Sequence, residues 1–165
     1  MNKKNHIIKK SNNLIGAHYK LNINEQKIIY KLISLIHIDD NDFKNYDLKV
    51  VDLISFLDIK NNRIYKDIKG YVNNLMKEIL VFEEEGKEVH IQWLSLAEYK
   101  DNGVITFNFH PRLKPFLLNL KSQFTRFEIE NIRKFKSSYT PRIYEILKQF
   151  EKVGYREVTI DELRN

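Results

Sequence analysis

The chain has 165 residues, of which 42% are hydrophobic and 12% aromatic, so it is long and apolar enough to form about one domain with its own core. It contains no cysteine, which excludes disulfide scaffolds, thiolate nucleophiles and cysteine-ligated metal sites. The net charge of +6 is concentrated, because eight basic residues and only two acidic ones lie between Pro111 and Arg142. Such a concentration is typical of nucleic acid-binding proteins, and an ordinary solvated surface is the alternative.

Hydropathy along the chain gives no sign of a membrane protein. No apolar run approaches the about 20 residues that cross a bilayer. Lys9 and Lys10 interrupt the short apolar stretch near the N-terminus before the apolar region of a signal peptide could form. We therefore expect a cytoplasmic location and no membrane partner.

The first half of the chain is predicted to be mostly helical. Asn22 and Glu25 fit a capping box at the start of the first helix, which continues to about His37 with apolar residues at helical spacing. The elements that follow are a strand at Tyr46–Val50, a short helix from Asp52, and an amphipathic helix from Asn61 or Asn62 to about Leu80.

Two β-hairpins are predicted next. Gly86 lies in the turn of the first, between Leu80–Glu83 and a longer strand that continues through Trp93. Asn102 and Gly103 lie in the turn of the second, before Val104–Phe109, and are expected to form a type I′ turn with positive φ at both residues. The strand edges, with the apolar residues Val89, Ile91 and Trp93, would suit a two-fold interface.

The last third of the chain is predicted to alternate between short elements and one long helix. The short elements are a helix in Leu113–Leu120, a strand at Phe124–Phe127 and a helix at Ile129–Lys136. The long helix is capped by Thr140, has Pro141 at its first position and ends at Gly154. Its expected buried residues are Ile143, Ile146, Leu147 and Phe150.

A strand at Tyr155–Val158 and a second capping box at Thr159–Glu162 are predicted at the end of the chain. A helix that begins there has no room to finish before Asn165. We therefore expect a fragment of a longer protein, with a frayed terminus as the alternative.

The motifs of common enzymes are missing from the sequence. No two of the five histidines have the spacing of a metal-binding pair on one helix face, and neither a phosphate-binding glycine loop nor a nucleophile elbow is present. We therefore expect no catalytic residue, no metal and no cofactor, and interpret the protein as a non-enzyme.

Two groups of residues are candidates for DNA binding. On the helix after Asn62, lysine and arginine can meet phosphates and asparagine can pair with adenine, while the alternative is a solubilised helix surface. The candidates on this helix are Arg63, Lys66, Asn73 and Lys77. The second group, in the basic segment, is Arg126, Arg133, Lys134, Lys136 and Arg142.

The predicted order of helix, strand, helix, helix and β-hairpin is that of a winged helix, an α+β fold in which a helix-turn-helix carries a β-hairpin wing. Three stretches then resemble the iteron-binding plasmid replication initiators. Leu21–Lys27 resembles their L-x-x-x-E-Q-[KR] signature. Ser138–Phe150 looks like their S-x-Y-x-x-R-[LI]-Y-E-[LI]-L-[KR] helix, and Phe124–Phe127 lies upstream in the expected place.

This resemblance implies a protein with two winged-helix domains joined by a long helix. The implied division is an N-terminal arm (1–20), the first winged-helix domain (21–138), a linking helix (139–154) and the start of a second winged-helix domain (155–165). In such proteins the second domain reads the repeats of the plasmid origin. The first domain dimerises and adds contacts to the DNA backbone, dimers repress the initiator's own promoter, and host replication proteins are recruited afterwards.

The matched motif residues are interpreted mostly as packing residues of the long helix. These are Tyr139, Ile143, Tyr144 and Leu147, whereas Arg142 is expected to meet a phosphate or a buried carboxylate. The expected partners are double-stranded DNA, a second copy of the chain and host replication proteins. A winged-helix transcription regulator and a protein-interaction module without a DNA role are the alternatives.

Overall fold

A helix-turn-helix, an antiparallel sheet and two further strand pairs make up the structure, a computed structural model that describes residues 7–120, 124–160 and 163. The strands are β1 (Ile7–Ser11), β2 (Tyr46–Lys49), β3 (Ile79–Glu84), β4 (Lys87–Gln92), β5 (Leu94–Lys100), β6 (Val104–Phe109) and β7 (Phe124–Glu128). The helices are α1 (Asn12–Ile15), α2 (Ile23–Ile33), α3 (Val50–Leu57), α4 (Ile64–Leu75), α5 (Lys114–Leu117), α6 (Ile129–Arg133) and α7 (Tyr139–Gln149), and a 3-10 turn spans Pro111–Leu113.

The winged helix is formed by α2, β2, α3, α4, β5 and β6. β6 is the central strand of the sheet and pairs antiparallel with both neighbours, so that Phe107 lies opposite Tyr46 on β2 and Ala97 on β5. β5, β6 and the loop 101–103 between them are the wing. The predicted α+β winged helix is therefore confirmed, with the β3–β4 hairpin inserted between α4 and the wing.

The central helix α2 begins where its capping signal predicts. The side chain of Asn22 accepts a hydrogen bond from the backbone N–H of Glu25 at 3.0 Å, and the Glu25 carboxylate accepts one from the Asn22 N–H at 2.9 Å. Ile28 and Leu32 are fully buried and pack α2 into the core. The helix ends at Ile33, earlier than the predicted end near His37.

Helix α4 also ends earlier than predicted, at Leu75 instead of about Leu80. The backbone N–H groups of Lys77 and Glu78 both donate to the carbonyl of Asn74, which closes the helix with a turn. Leu80 then pairs with Ile91 in the β3–β4 hairpin. Pairing with a strand that lies later in the chain therefore outweighs the helical periodicity of these residues.

The first hairpin turn lies at Glu85-Gly86, as predicted, whereas the turn of the wing differs from the prediction. In the β3–β4 turn both Glu85 and Gly86 have positive φ, at 51° and 72°, which is the type I′ pattern. In the wing only Gly103 does, with φ of 73°, because the loop has three residues and needs one left-handed position. The prediction of a type I′ turn at Asn102-Gly103 is therefore wrong.

The predicted continuous strand through Trp93 is interrupted at that residue. β4 and β5 belong to different sheets, and the carbonyl of Trp93 between them accepts a hydrogen bond from His110. Trp93 is fully buried and Ile91 is 8% exposed, because both side chains complete the core. The prediction that Ile91 and Trp93 lie in a two-fold interface is therefore wrong. Val89, the third residue of that prediction, is half-buried.

The segment expected as an N-terminal arm contains β1 and α1. β1 pairs antiparallel with β7, with Ile8 opposite Phe127, and both side chains are buried. Leu14 and Ile15 of α1 are also buried. The division of the chain into an arm, two domains and a linker stays a prediction.

Helix α7 is shorter than the predicted linking helix. It runs from Tyr139 to Gln149 with Ser138 at its N-cap, so Thr140 lies inside it and is not the cap. A turn follows and reaches Gly154, whose φ is 91°; the long linking helix is not confirmed.

The buried face of α7 also differs from the prediction, because it includes a charged residue. Pro141, Glu145 and Ile146 are buried, while Ile143 and Leu147 are 41% and 57% exposed. The helix is rotated in this way because the Glu145 carboxylate forms a buried ion pair with Lys10 of β1.

The two tyrosines of the motif, Tyr139 and Tyr144, differ in their burial. Tyr144 packs edge-on against Phe127 and Phe135, as predicted, but Tyr139 is 59% exposed. Residues 155–158 form no strand. The capping box predicted at Thr159–Glu162 includes residues outside the described part of the chain.

Candidate nucleic-acid interface

The outward surface of α4 carries the first group of predicted DNA-binding residues. Its apolar residues Ile64, Ile68, Val72 and Leu75 are buried on the opposite side. The predicted residues follow one another at steps of three, seven and four residues, so they lie along one side of the helical spiral, with Arg63 at the N-cap of α4 and Lys77 in the turn after its end. We call this side the outer face of α4: Arg63, Lys66, Gly70, Asn73 and Lys77, all of them exposed.

The charged and polar side chains of this outer face have no partner within the described part of the chain. No hydrogen bond or ion pair there involves the side chain of Arg63, Lys66, Asn73 or Lys77. Two nearby carboxylates are already engaged, since Asp67 accepts from Asn61 and Glu78 accepts from the backbone of Lys20. The cations therefore remain available to an anionic ligand.

Two polar contacts fix the rotation of α4 against α2. Asn24 donates to the hydroxyl of Tyr71 at 3.0 Å, and Asn74 donates to the Glu25 carboxylate at 2.9 Å. Because Asn74 is held in this way, Asn73 is the asparagine of the pair that faces outward. These contacts hold the outer face of α4 in one orientation.

The second group includes a basic cluster at the C-terminal end of α6 and just after it, formed by Arg133, Lys134 and Lys136, all exposed. The Arg133 guanidinium donates to the carbonyl of Ser55 at 3.1 Å, and the Lys136 ammonium lies 3.9 Å from the Asp58 carboxylate. This basic cluster therefore lies at the C-terminal end of α3, where unpaired helix carbonyls attract cations.

The fold brings this basic cluster toward the start of α4. Asp58 is the C-cap of α3, with φ of 54°, and only the short turn that follows separates it from Arg63 at the N-cap of α4. Two groups that are about seventy residues apart in the sequence thus meet at the turn of the helix-turn-helix.

Arg126 and Arg142 lie elsewhere. Arg126 is exposed on β7, opposite Lys9 on β1. The guanidinium of Arg142, which is half-buried on α7, donates to the carbonyl of Ile15. The expected carboxylate partner of Arg142 is therefore wrong, because the nearby Glu145 is paired with Lys10; a phosphate contact of Arg142 stays a prediction.

Lys27 contacts the backbone of the basic cluster, and the sequence did not predict it as part of the site. Its ammonium donates to the carbonyl of Arg133 at 2.9 Å, and burial together with the positive charge of Lys136 lowers its pKa. In the sequence Lys27 is the last residue of the Leu21–Lys27 signature, and nothing in that pattern indicates a contact with the backbone of Arg133. Lys27 holds the end of α6 and so supports the basic cluster.

Lys69 and Tyr99 were also missed. Lys69 is exposed on α4, and its ammonium lies 5.7 Å from the centroid of the Tyr99 ring on β5, within the range of a cation–π contact. Partial burial raises the pKa of Tyr99. This contact joins α4 to the wing, and only the tertiary structure shows it.

Other kinds of site have little support. Within residues 7–120, 124–160 and 163, no three His, Asp or Glu side chains form a group that could hold a metal ion. Over the same ranges no helix has both the length and the apolarity needed to cross a bilayer.

Known proteins are similar to this chain in sequence. An uncharacterized 27.6 kDa protein of Escherichia coli is 25% identical over 162 residues, which cover 89% of this chain and 68% of that protein. A probable replication protein rep of Bifidobacterium longum is 27% identical over 116 residues, which cover 67% of this chain and 39% of that protein.

A solved structure shares the fold. The Pi initiator protein, crystallised in complex with iteron DNA, matches with a TM-score of 0.73 at 16% identity, over 98% of this chain and 72% of that one. The model of the family described as Initiator Replication protein, WH1, matches residues 7–148. Because that match covers most of the chain, the protein belongs to the WH1 family of initiator replication proteins.

Proposed function

We propose that this chain is the DNA-binding and dimerisation domain of a plasmid replication initiator, and that it binds the direct repeats of a replication origin. The observation that carries the proposal is the outer face of α4 in the helix-turn-helix, where the exposed side chains of Arg63, Lys66 and Lys77 have no partner among the residues that the structure describes. The domain acts by binding, without catalysis, and works in the cytoplasm.

The mechanism is electrostatic docking followed by helix insertion. Lysine and arginine side chains that reach phosphates release condensed counterions, so affinity falls steeply as salt rises. An α-helix fits the major groove, where Asn73 could pair bidentately with adenine. The basic cluster at the end of α3 would contact the sugar-phosphate backbone beside the groove.

A second copy of the chain is the proposed protein partner. β4 pairs with β3 along one edge, and in the described part of the chain its other edge has no partner strand. An open edge can extend into a sheet across a two-fold axis. Such dimers would repress the initiator's own promoter, and host replication proteins would join at the origin.

The test is fluorescence anisotropy of a labelled duplex of about 30 base pairs at several salt concentrations. We expect log affinity to fall linearly with log salt concentration. The variant R133E/K134E/K136E should bind at least about tenfold more weakly. The control K20E/K44E/K152E changes the net charge equally at exposed positions outside both surfaces and outside β4, and should lose much less.

The outcomes separate the alternatives. Preference for direct repeats over a scrambled duplex supports an initiator, whereas preference for a single palindromic site favours a transcription regulator. No binding even at low salt would overturn the proposal and favour a protein-interaction module. Equal losses in the triple variant and its control would contradict the role of the basic cluster.

A further inference from the structure

Gly70 lies in the middle of α4, where a glycine is unexpected. The helix runs from Ile64 to Leu75, and Gly70 is exposed on its outward side. Glycine is the poorest helix former after proline, because it loses the most backbone freedom on folding. Something other than helix stability must therefore favour glycine here.

The protein's own packing does not require it. A Cβ atom built at Gly70 would meet no atom within 4 Å, and its φ lies outside the left-handed range that favours glycine. By contrast, Gly86 and Gly103 have φ of 72° and 73° and belong to turns. Alanine would fit at position 70 without strain.

The position of Gly70 within the outer face is its second feature. Lys66 lies four residues before it and Asn73 three residues after it, so both adjoin it on the helix surface. Arg63 and Lys77 lie one further step away at either end. Lys66 and Asn73 have no side-chain partner in the described part of the chain, whereas the other two neighbours of Gly70, Asp67 and Asn74, are held by Asn61 and Glu25.

A residue without a side chain in the middle of the outer face of α4 allows a ligand to approach the helix backbone closely. Glycine is the usual residue where a backbone must come close to a bound molecule. A helix that enters the major groove has its outermost residues nearest the base edges and its flanking cations nearest the phosphates. The missing side chain would let α4 lie deeper in the groove.

We propose that Gly70 sets the depth at which α4 enters the major groove of duplex DNA, with its main chain against the base edges beside Asn73. This inference rests on the proposed function, because it requires that α4 is the DNA-contacting helix. It differs from that function in assigning the contact to a position without charge or hydrogen-bonding side chain.

The experiment compares Gly70→Ala and Gly70→Leu with the unmodified chain. Both substitutions introduce better helix formers, so we expect the Tm to rise by about 1–4 °C for Gly70→Ala. We expect duplex binding to weaken with side-chain size, by about tenfold or more for Gly70→Leu. The control is Gln149→Leu, which introduces a leucine on α7, outside the outer face of α4, and should leave the affinity for the duplex unchanged.

A rise in Tm together with weaker duplex binding is the result that this inference predicts. If the unmodified chain binds and Gly70→Leu binds as tightly, the inference is overturned while the proposed function stands. A fall in Tm for Gly70→Ala would mean that the fold itself needs this glycine, which also overturns it. If Gly70→Leu does not fold, the Gly70→Ala titration decides. If the unmodified chain shows no salt-dependent binding, the proposed function fails first.

Discussion

At the residue scale, the ion pair between Lys10 on β1 and Glu145 on α7 holds the two ends of the fold together. Their Nζ and Oε1 atoms are 2.7 Å apart, and the side chains are 1% and 0% exposed. The ammonium also lies 5.2 Å from the Tyr30 ring centroid and 5.9 Å from those of Tyr19 and Trp93. Aromatic faces attract a cation, which partly replaces the water that Lys10 loses.

We predict that replacing one residue of this pair lowers the stability of the fold strongly, and that replacing both residues lowers it much less. Lys10→Met leaves the Glu145 carboxylate buried without its partner and should lower the free energy of unfolding by about 3–5 kcal/mol. The double variant K10M/E145M removes both charges and should recover most of that loss. Urea unfolding of the two single variants and the double variant measures the coupling. A loss below about 1 kcal/mol in Lys10→Met would contradict the prediction.

The same pair should make the protein sensitive to alkaline pH. Burial lowers the pKa of Lys10, but the Glu145 carboxylate and Tyr19 together outweigh burial and raise that pKa above the ordinary 10.5. Burial, and then Glu145, raises the pKa of Tyr30 well above 10.0. The native state thus keeps these protons to higher pH than the unfolded chain does. Stability from both groups is therefore full below about pH 10 and falls as the pH rises further.

Thermal unfolding at about pH 8 to about pH 11 tests this expectation. The Tm should decline above about pH 10, and the decline should be shallower in K10M/E145M, in which the pair is absent. A Tm that is constant over the whole range would show that neither group is coupled to folding.

At the element scale, local signals in the sequence predicted the start of α2 correctly, whereas the predicted caps of α4 and α7 and the predicted ends of α2 and α4 were wrong. The capping box of α2 needs only Asn22 and Glu25, which are neighbours, and it is found as predicted. The end of α4 depends on Leu80 pairing with Ile91, and the interruption at Trp93 depends on His110. Such partners are selected by the folded chain, so helical or strand periodicity alone cannot reveal them.

The β3–β4 turn gives a prediction at this scale. Glu85 has φ of 51°, a conformation that asparagine tolerates better than glutamate. Glu85→Asn should therefore stabilise the domain by about 0.5–1 kcal/mol, and Gly86→Ala, at φ of 72°, should destabilise it by about 1–2 kcal/mol. Urea unfolding of both variants measures the two effects. Destabilisation by Glu85→Asn would mean that the glutamate side chain has a role of its own.

At the scale of the whole molecule, the candidate interface combines what the sequence could and could not predict. The seven- and four-residue spacing of Lys66, Asn73 and Lys77, which is about two turns and one turn of a helix, predicts their common face from the sequence alone. The proximity of Lys136 to Asp58 could not be predicted, because it requires α6 to pack beside the end of α3. The contact of Arg142 with the carbonyl of Ile15 depends in the same way on α1.

The meeting of the two groups at the turn of the helix-turn-helix leads to the last prediction, that one duplex contacts both. Each lysine or arginine that neutralises a phosphate adds about one unit to the slope of log affinity against log salt concentration. K66Q/K77Q and R133Q/K136Q should therefore each lower that slope by about 2, and the quadruple variant by about 4. K44Q/K152Q, which removes two exposed charges elsewhere, should leave the slope unchanged.

Additivity of the slopes is the informative result, because it distinguishes one continuous interface from two separate ones. If a single duplex lies across α4 and the basic cluster, each pair removes its own phosphate contacts whether or not the other is present. If only one surface touches DNA, the quadruple variant will lose no more than one of the pairs alone. In that case the basic cluster would be a structural feature of the end of α3, held by Arg133 on Ser55, and α4 alone would carry the binding.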